Sequence, residues 1–185
     1  RAEFDTFVET LAGQRIARVT YFEIDYSTEH SFYITPYPHI GHFLDYGVEW
    51  LLENGQYRSF IWDGTFIQYG VGLFPTSMDE EVTTSRHWDM TDDSHWKALI
   101  NKPIASAKVY WSWVSLSNQD SLIYYPQEIG ITFANAHTIY ISASEYDQSS
   151  ERVKGMSDAI FVVFSDNVAR KYKLGQFAED DTLRT

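Results

Sequence analysis

Val48-Glu49-Trp50-Leu51-Leu52-Glu53-Asn54-Gly55-Gln56-Tyr57-Arg58-Ser59-Phe60-Ile61-Trp62 sets two apolar, β-prone runs on either side of an Asn-Gly pair. That is the strongest short-range hairpin signal a sequence carries. Asn54 and Gly55 both tolerate the φ > 0 that a type I′ turn demands. Taken as a two-residue loop, they set Leu52 opposite Tyr57, Trp50 opposite Ser59 and Val48 opposite Ile61. Val48, Trp50, Leu52, Tyr57 and Ile61 then share one face. The pattern returns as Ile129-Gly130-Ile131-Thr132-Phe133-Ala134-Asn135-Ala136-His137-Thr138-Ile139-Tyr140-Ile141. There Asn135-Ala136 lacks the glycine, and a three-residue loop better aligns Ile131, Phe133, Ile139 and Ile141. The register of this second hairpin stays open by one residue.

Working outward, the spacing of Phe4, Phe7, Val8 and Leu11 predicts a short amphipathic helix over 3–12, stopped at Gly13. The β-branched and aromatic run from Ile16 to Tyr26 predicts a long strand whose imperfect alternation implies burial on both faces. Pro36 and Pro38 mark 27–41 as a loop, and Phe66–Phe74 reads as a strand interrupted by Gly70 and Gly72. Ser77 to Glu80 and Thr91 to Ser94 have helix-capping composition, which makes 77–98 a connector. After it, Leu99-Ile100-Asn101-Lys102-Pro103-Ile104-Ala105 echoes Leu11-Ala12-Gly13-Gln14-Arg15-Ile16-Ala17. A Tyr110/Trp111/Trp113 strand, a polar loop with Pro126, the second hairpin, a buried strand over 158–164 and a helix capped at Ser165-Asp166 complete a second unit. Residues 179–185 read as a frayed tail. The expectation is one α+β domain over 1–185, mainly antiparallel β, of about eight strands. It consists of two tandem β-units, an internal pseudo-repeat over 11–76 and 99–173, with short helices at the joins and an acidic connector at 77–98.

Composition narrows the chemistry. Of 185 residues 44% are hydrophobic and 17% aromatic, enough for a sizeable core. Lys and Arg number 14 against 26 Asp and Glu, a net charge of −12. That field repels nucleic acid and anionic membrane and favours either basic partners or plain solubility. No apolar run approaches the roughly 20 residues of a spanning helix. The absence of cysteine excludes disulfide scaffolds, thiol nucleophiles and Cys-ligated metals, while leaving the compartment open. The chain opens on Arg1 rather than Met, so a leader removed ahead of it stays open as well.

No stretch carries a catalytic motif. Gly70-Val71-Gly72 lacks the third glycine and the helix of a phosphate loop, and there is no Gly-x-Ser-x-Gly elbow. His39 and His42 lie in a Pro/Gly loop where their spacing sets no common face. His87, Asp89, Asp92, Asp93 and His95 form the densest metal-type cluster, yet their spacing matches no ligand pattern, and the expectation is no metal and no cofactor. Glu23, Asp25, Glu49, Glu128 and Glu145 are the carboxylates that glycoside chemistry would draw on. Trp111 and Trp113 read either as a filled core face or as an exposed platform for a sugar or a partner.

Asp45-Tyr46-Gly47-Val48-Glu49, Gln68-Tyr69-Gly70-Val71-Gly72-Leu73, Tyr110-Trp111-Ser112-Trp113, Tyr124-Tyr125-Pro126-Gln127-Glu128-Ile129 and Ile141-Ser142-Ala143-Ser144-Glu145 together resemble a group of small acidic bacterial proteins of unknown function. By analogy of class, that resemblance implies a cytoplasmic immunity protein paired with a secreted toxin. It transfers no site residue. The functional expectation is therefore a non-catalytic protein-binding domain, in its sharpest form an immunity protein neutralising a basic toxin. Its contact surface would be the acidic connector, with Asp79, Glu80, Glu81, Asp89, Asp92 and Asp93 steering the partner and Trp88 or Trp96 as aromatic anchor. A carbohydrate-binding or glycoside-cleaving domain and a purely structural domain are the alternatives.

Overall fold

A computed structural model describes residues 1–24, 32–66, 69–78, 85–115 and 122–178. The chain runs α1 (Ala2–Glu9), β1 (Ile16–Ile24), β2 (His42–Leu44), β3 (Gly47–Leu52), β4 (Tyr57–Asp63), β5 (Gly70–Phe74), β6 (Ser85–Asp89), α2 (Ser94–Lys97), β7 (Ile104–Ser115), β8 (Leu122–Phe133), β9 (Thr138–Asp147), β10 (Arg152–Val163) and α3 (Asp166–Lys171), with a 3-10 turn at Gly175–Phe177. Two five-stranded sheets result, ordered β5-β4-β3-β1-β6 and β2-β10-β9-β8-β7, and every pairing is antiparallel. The fold is α+β and mainly β, as expected, with ten strands among the described residues where about eight were anticipated.

The first hairpin is tighter in its logic than a type I′ turn. Leu52 N–H donates to Gln56 C=O at 2.9 Å and Gly55 N–H to Leu52 C=O at 2.9 Å. This is a three-residue loop, a type I turn closed by Gly55 at φ 81°. The register shifts accordingly: Trp50 faces Arg58 and Val48 faces Phe60. Tyr57 and Ile61 leave the core face, and Phe60 joins Val48, Trp50 and Leu52 in the core instead. The second hairpin closes in the same way, through Phe133 N–H to His137 C=O and Ala136 N–H to Phe133 C=O, with Ala136 at φ 63°.

The likeness between the halves extends to the strand starts. Ala17 and Ala105 each fall at a bulge, between Ile16 and Arg18 in β1 and between Ile104 and Ser106 in β7. A bulge moves the following residues to the opposite face. Ile16 therefore shares the core with Val19 and Tyr21, and Ile104 with Ala107 and Val109, which accounts for the broken alternation seen in the sequence. The two starts also lie side by side. Gly13 N–H donates to Ile104 C=O and Asn101 N–H to Ile16 C=O, at 2.8 and 2.9 Å. Gly13 and Asn101 both have positive φ, 83° and 59°. Val8 and Leu11, in and just after α1, and Trp96 and Leu99, in and just after α2, are fully buried at corresponding positions.

Two short strands were invisible to periodicity. The three-residue β2 leaves the first half of the chain to pair with β10, where Val162 faces His42 and Ile160 faces Leu44. Gly41 permits the approach, because a Cβ there would collide with the Val162 carbonyl. The connector contains β6, which pairs with β1 so that Trp88 faces Tyr21. Pro126 lies inside β8 rather than in a loop; it sits at a register shift opposite Trp111, where the ladder is already interrupted. The proposed cap at Ser77 is otherwise engaged, its hydroxyl donating to Glu49, and the rest of that helix, the Tyr26 end of the first strand and the 179–185 tail lie outside the described residues.

Facing sides of both sheets supply one core, from Val19, Val48, Trp50 and Phe60 to Ile129, Ile131, Ile141 and Val162. A second cluster covers the outer face of β9 and β10, where Ile40, Phe43, Tyr140, Phe161 and Val163 meet Ala169 and Leu174. Burial on both faces explains the unbroken apolar run Ile160-Phe161-Val162-Val163. No helix among the described residues is long and apolar enough to cross a membrane.

Candidate functional site

Of the residues expected in the acidic connector, the structure describes Trp88, Asp89, Asp92, Asp93 and Trp96. Asp79, Glu80 and Glu81 lie outside the described residues. Trp96 is fully buried and donates its indole N–H to Tyr21 Oη at 2.6 Å. It is the α2 counterpart of Val8, a core anchor with no face left for a partner. Trp88 is half-buried against the core, 6.1 Å from the ring of Tyr33. Asp93 caps α2 by accepting from His95 N–H, Asp89 accepts from Thr91 N–H, and exposed Asp92 lies 3.3 Å from Lys97. Local backbone satisfaction explains two of these three acids.

The metal-type cluster is likewise spread. His87 packs beside Phe22 on the outer side of β6, whereas His95 stacks on Phe164 at 4.6 Å. Among the described residues no group of three His, Asp or Glu is gathered as a metal ion requires. What the region does contain is a buried polar relay. Trp96 donates to Tyr21, and Tyr21 Oη lies 2.7 Å from His42 Nδ1. With the indole proton directed at the Tyr21 oxygen, the neutral Nε2–H tautomer of His42 lets Tyr21 donate its own proton to Nδ1. Burial pushes the Tyr21 phenol well above its usual pKa. Burial also lowers His42 to about 4, with the His95 ring acting in the same direction and Asp93 opposing.

An open cleft lies elsewhere, lined by residues of both sheets. Its volume is about 320 Å³, and it is lined by Ile24, Tyr37, Phe43, Asp45, Trp62, Glu145, Tyr146, Ser157, Asp158 and Ala159. Trp62 comes from β4 of the first sheet, and Phe43 and Tyr146 from β2 and β9 of the second. β10 departs from its ladder here: Gly155 pairs with Ser144 and Ile160 with Ala143, so Met156 to Ala159 bulge outward, with Met156 at φ 58°. Wide bulges re-aim side chains, and this one presents Ser157 and Asp158 to the cleft.

Aromatic contacts brace the walls from behind. Phe43 stacks on Phe161 with ring centres 4.0 Å apart, and Tyr37 meets Tyr146 edge-on at 4.8 Å. Trp62 donates its indole N–H to the Asp45 carbonyl at 3.2 Å and meets Tyr69 edge-on at 5.1 Å. The acids are uncomfortable. Burial and the charge of Asp158 raise the Asp45 carboxyl, and burial with the charge of Asp45 raises Glu23 to about 7. None of the ten lining residues is basic. An aromatic-walled, acid-rimmed hollow of this kind can hold an organic cation or present a protonated carboxyl to a neutral ligand.

Of the carboxylates drawn from the sequence, Glu145 lines this cleft and Glu23 adjoins it. Glu49 is buried as the acceptor of Ser77 Oγ and Met78 N–H, Glu128 is buried in β8, and Asp25 lies outside the described residues. Trp111 is half-buried, donating to Asp5 at 2.7 Å and packing edge-on to Phe4 and Phe66, and Trp113 is half-buried too. Asp45, Trp62 and Asp158 escaped sequence reasoning; Asp45 follows the unseen β2 and Asp158 sits in an unpaired bulge, neither of which leaves a periodic signal. Compared with protein-family models, curated proteins and solved structures, the chain matches none.

Proposed function

We propose that this chain is a non-catalytic protein-binding domain that receives a basic protein on the cleft between its sheets. The carrying observation is an aromatic cleft lined by Asp45, Glu145 and Asp158, with no basic side chain among its described lining residues, although Lys154 faces Glu145 across the strand pair. Cationic side chains of a partner would relieve that repulsion, and the net charge of −12 would speed encounter. Ile24, exposed and lining the cleft, adds apolar area of the kind that gives an interface its lasting contact. An immunity protein occluding a basic toxin is the sharpest form of this reading. The test is capture from the native host with wild-type protein and with the Asp45→Asn/Asp158→Asn pair, followed by titration of the purified partner. A basic partner bound by wild type and weakened at least about ten-fold by the pair supports the reading; a partner held equally by both removes the cleft from it.

A carbohydrate reading has one specific observation in its favour: a carboxyl raised to about 7 beside Asp45 has the form of a general acid. Hydrolysis of aryl glycosides that is lost in Glu23→Gln would establish it in place of the first.

A further inference from the structure

We infer that the cleft is an arginine pocket, in which the guanidinium of a partner's side chain is the anchor; this rests on the basic-partner reading above. Three observations select the ligand. The volume of about 320 Å³ far exceeds what a metal ion fills, and among the described residues no group of three His, Asp or Glu is gathered to hold one. The cation must therefore be extended, with charge spread over several atoms. Rings from both sheets line the cleft, Trp62 from β4 of the first and Phe43 and Tyr146 from β2 and β9 of the second, with Tyr37 beside them. A guanidinium stacks on aromatic faces while pointing five N–H donors outward in its plane, and is weakly hydrated, whereas an ammonium is a compact charge that surrenders its water reluctantly. Asp45, Asp158 and Glu145 line the same cleft and supply several acceptor oxygens, which suits a forked donor better than a point charge. The walls are also pre-set. Phe43 is stacked on Phe161 and Trp62 is tied to the Asp45 carbonyl, so little freedom is lost on binding.

The experiment follows the Trp62 indole N–H by NMR, assigned by its disappearance in Trp62→Phe, while N-acetyl-arginine amide, N-acetyl-lysine amide or N-acetyl-citrulline amide is added. Citrulline is nearly isosteric with arginine but uncharged. The arginine derivative is expected to shift the indole signal saturably, lysine to bind about five-fold more weakly or worse, and citrulline not to bind. Asp45→Asn, whose fold is checked by circular dichroism, is expected to weaken arginine by about ten-fold. Lysine binding as tightly as arginine overturns the arginine assignment while leaving a cation-binding face intact. No response to any of the three also overturns it, and if a captured basic partner is then indifferent to Asp45→Asn/Asp158→Asn, the basic-partner reading falls separately.

Discussion

Replacing His42 by Asn should make the protein less sensitive to mild acid, although it removes a buried aromatic side chain. His42 is 6% exposed and accepts the Tyr21 hydroxyl on Nδ1. The rings of Tyr21, Tyr33, His95 and Phe164 pack around it, and Asp93 also acts on it. Adding a proton at Nδ1 would set two donors against each other and strand the Tyr21 hydroxyl, whose lone pair already receives Trp96. The folded ring is thus held neutral down to about 4, while in the unfolded chain it protonates near its ordinary 6.5. Between these values the unfolded state binds more protons, so stability is full above 6.5 and falls as pH drops towards 4. At about 1.4 kcal/mol for each tenfold change in proton affinity, the complete loss is about 3 kcal/mol, and about 2 kcal/mol of it is reached by about pH 5. Asn keeps an acceptor for Tyr21 and cannot titrate. Urea midpoints at about pH 7.5 and about pH 5 should therefore show wild type losing about 2 kcal/mol more than the variant over that interval. Equal losses in the two proteins would mean that His42 is not the neutral end of a buried relay.

The equivalent turn positions should respond with opposite signs: Gly55→Val is expected to destabilise by about 2 kcal/mol, and Ala136→Gly to stabilise by about 0.5–1 kcal/mol. Both sites have positive φ and a Cβ at Gly55 meets no atom within 4 Å, so denaturant midpoints report backbone preference alone. Glu23→Gln should flatten the pH profile of the thermal midpoint. The wild-type carboxyl, raised from 4.5 to about 7, loses stability as pH rises across that interval, and a profile unchanged by the substitution would place Glu23 in solvent. Trp96→Ala is expected to cost about 3–5 kcal/mol of folding stability, measured by urea unfolding; a variant as stable as wild type would restore Trp96 to the surface.

The Asn-Gly hairpin, the β-branched and aromatic runs and the alternation of apolar residues were enough to give an antiparallel, mainly-β fold from the chain alone. These features are local: each depends on residues a few positions apart, whose backbone preferences and side-chain period survive without knowledge of the partner strand. The register of the first hairpin already lay beyond that reach, because Asn-Gly serves a two-residue loop and a three-residue loop equally, and the choice falls to which residues the opposite sheet buries. The same holds for β2 and β6, three and five residues long, which have too little sequence for a period and exist because β10 and β1 offer them open edges. Trp96 could be read as an exposed anchor or a core residue until its burial against Tyr21 decided it. The cleft is the extreme case. Asp45, Trp62, Glu145 and Asp158 are scattered over more than a hundred positions, and only the tertiary fold, with a four-residue bulge in β10, gathers them around one cleft, where burial and the charge of Asp158 raise the Asp45 carboxyl.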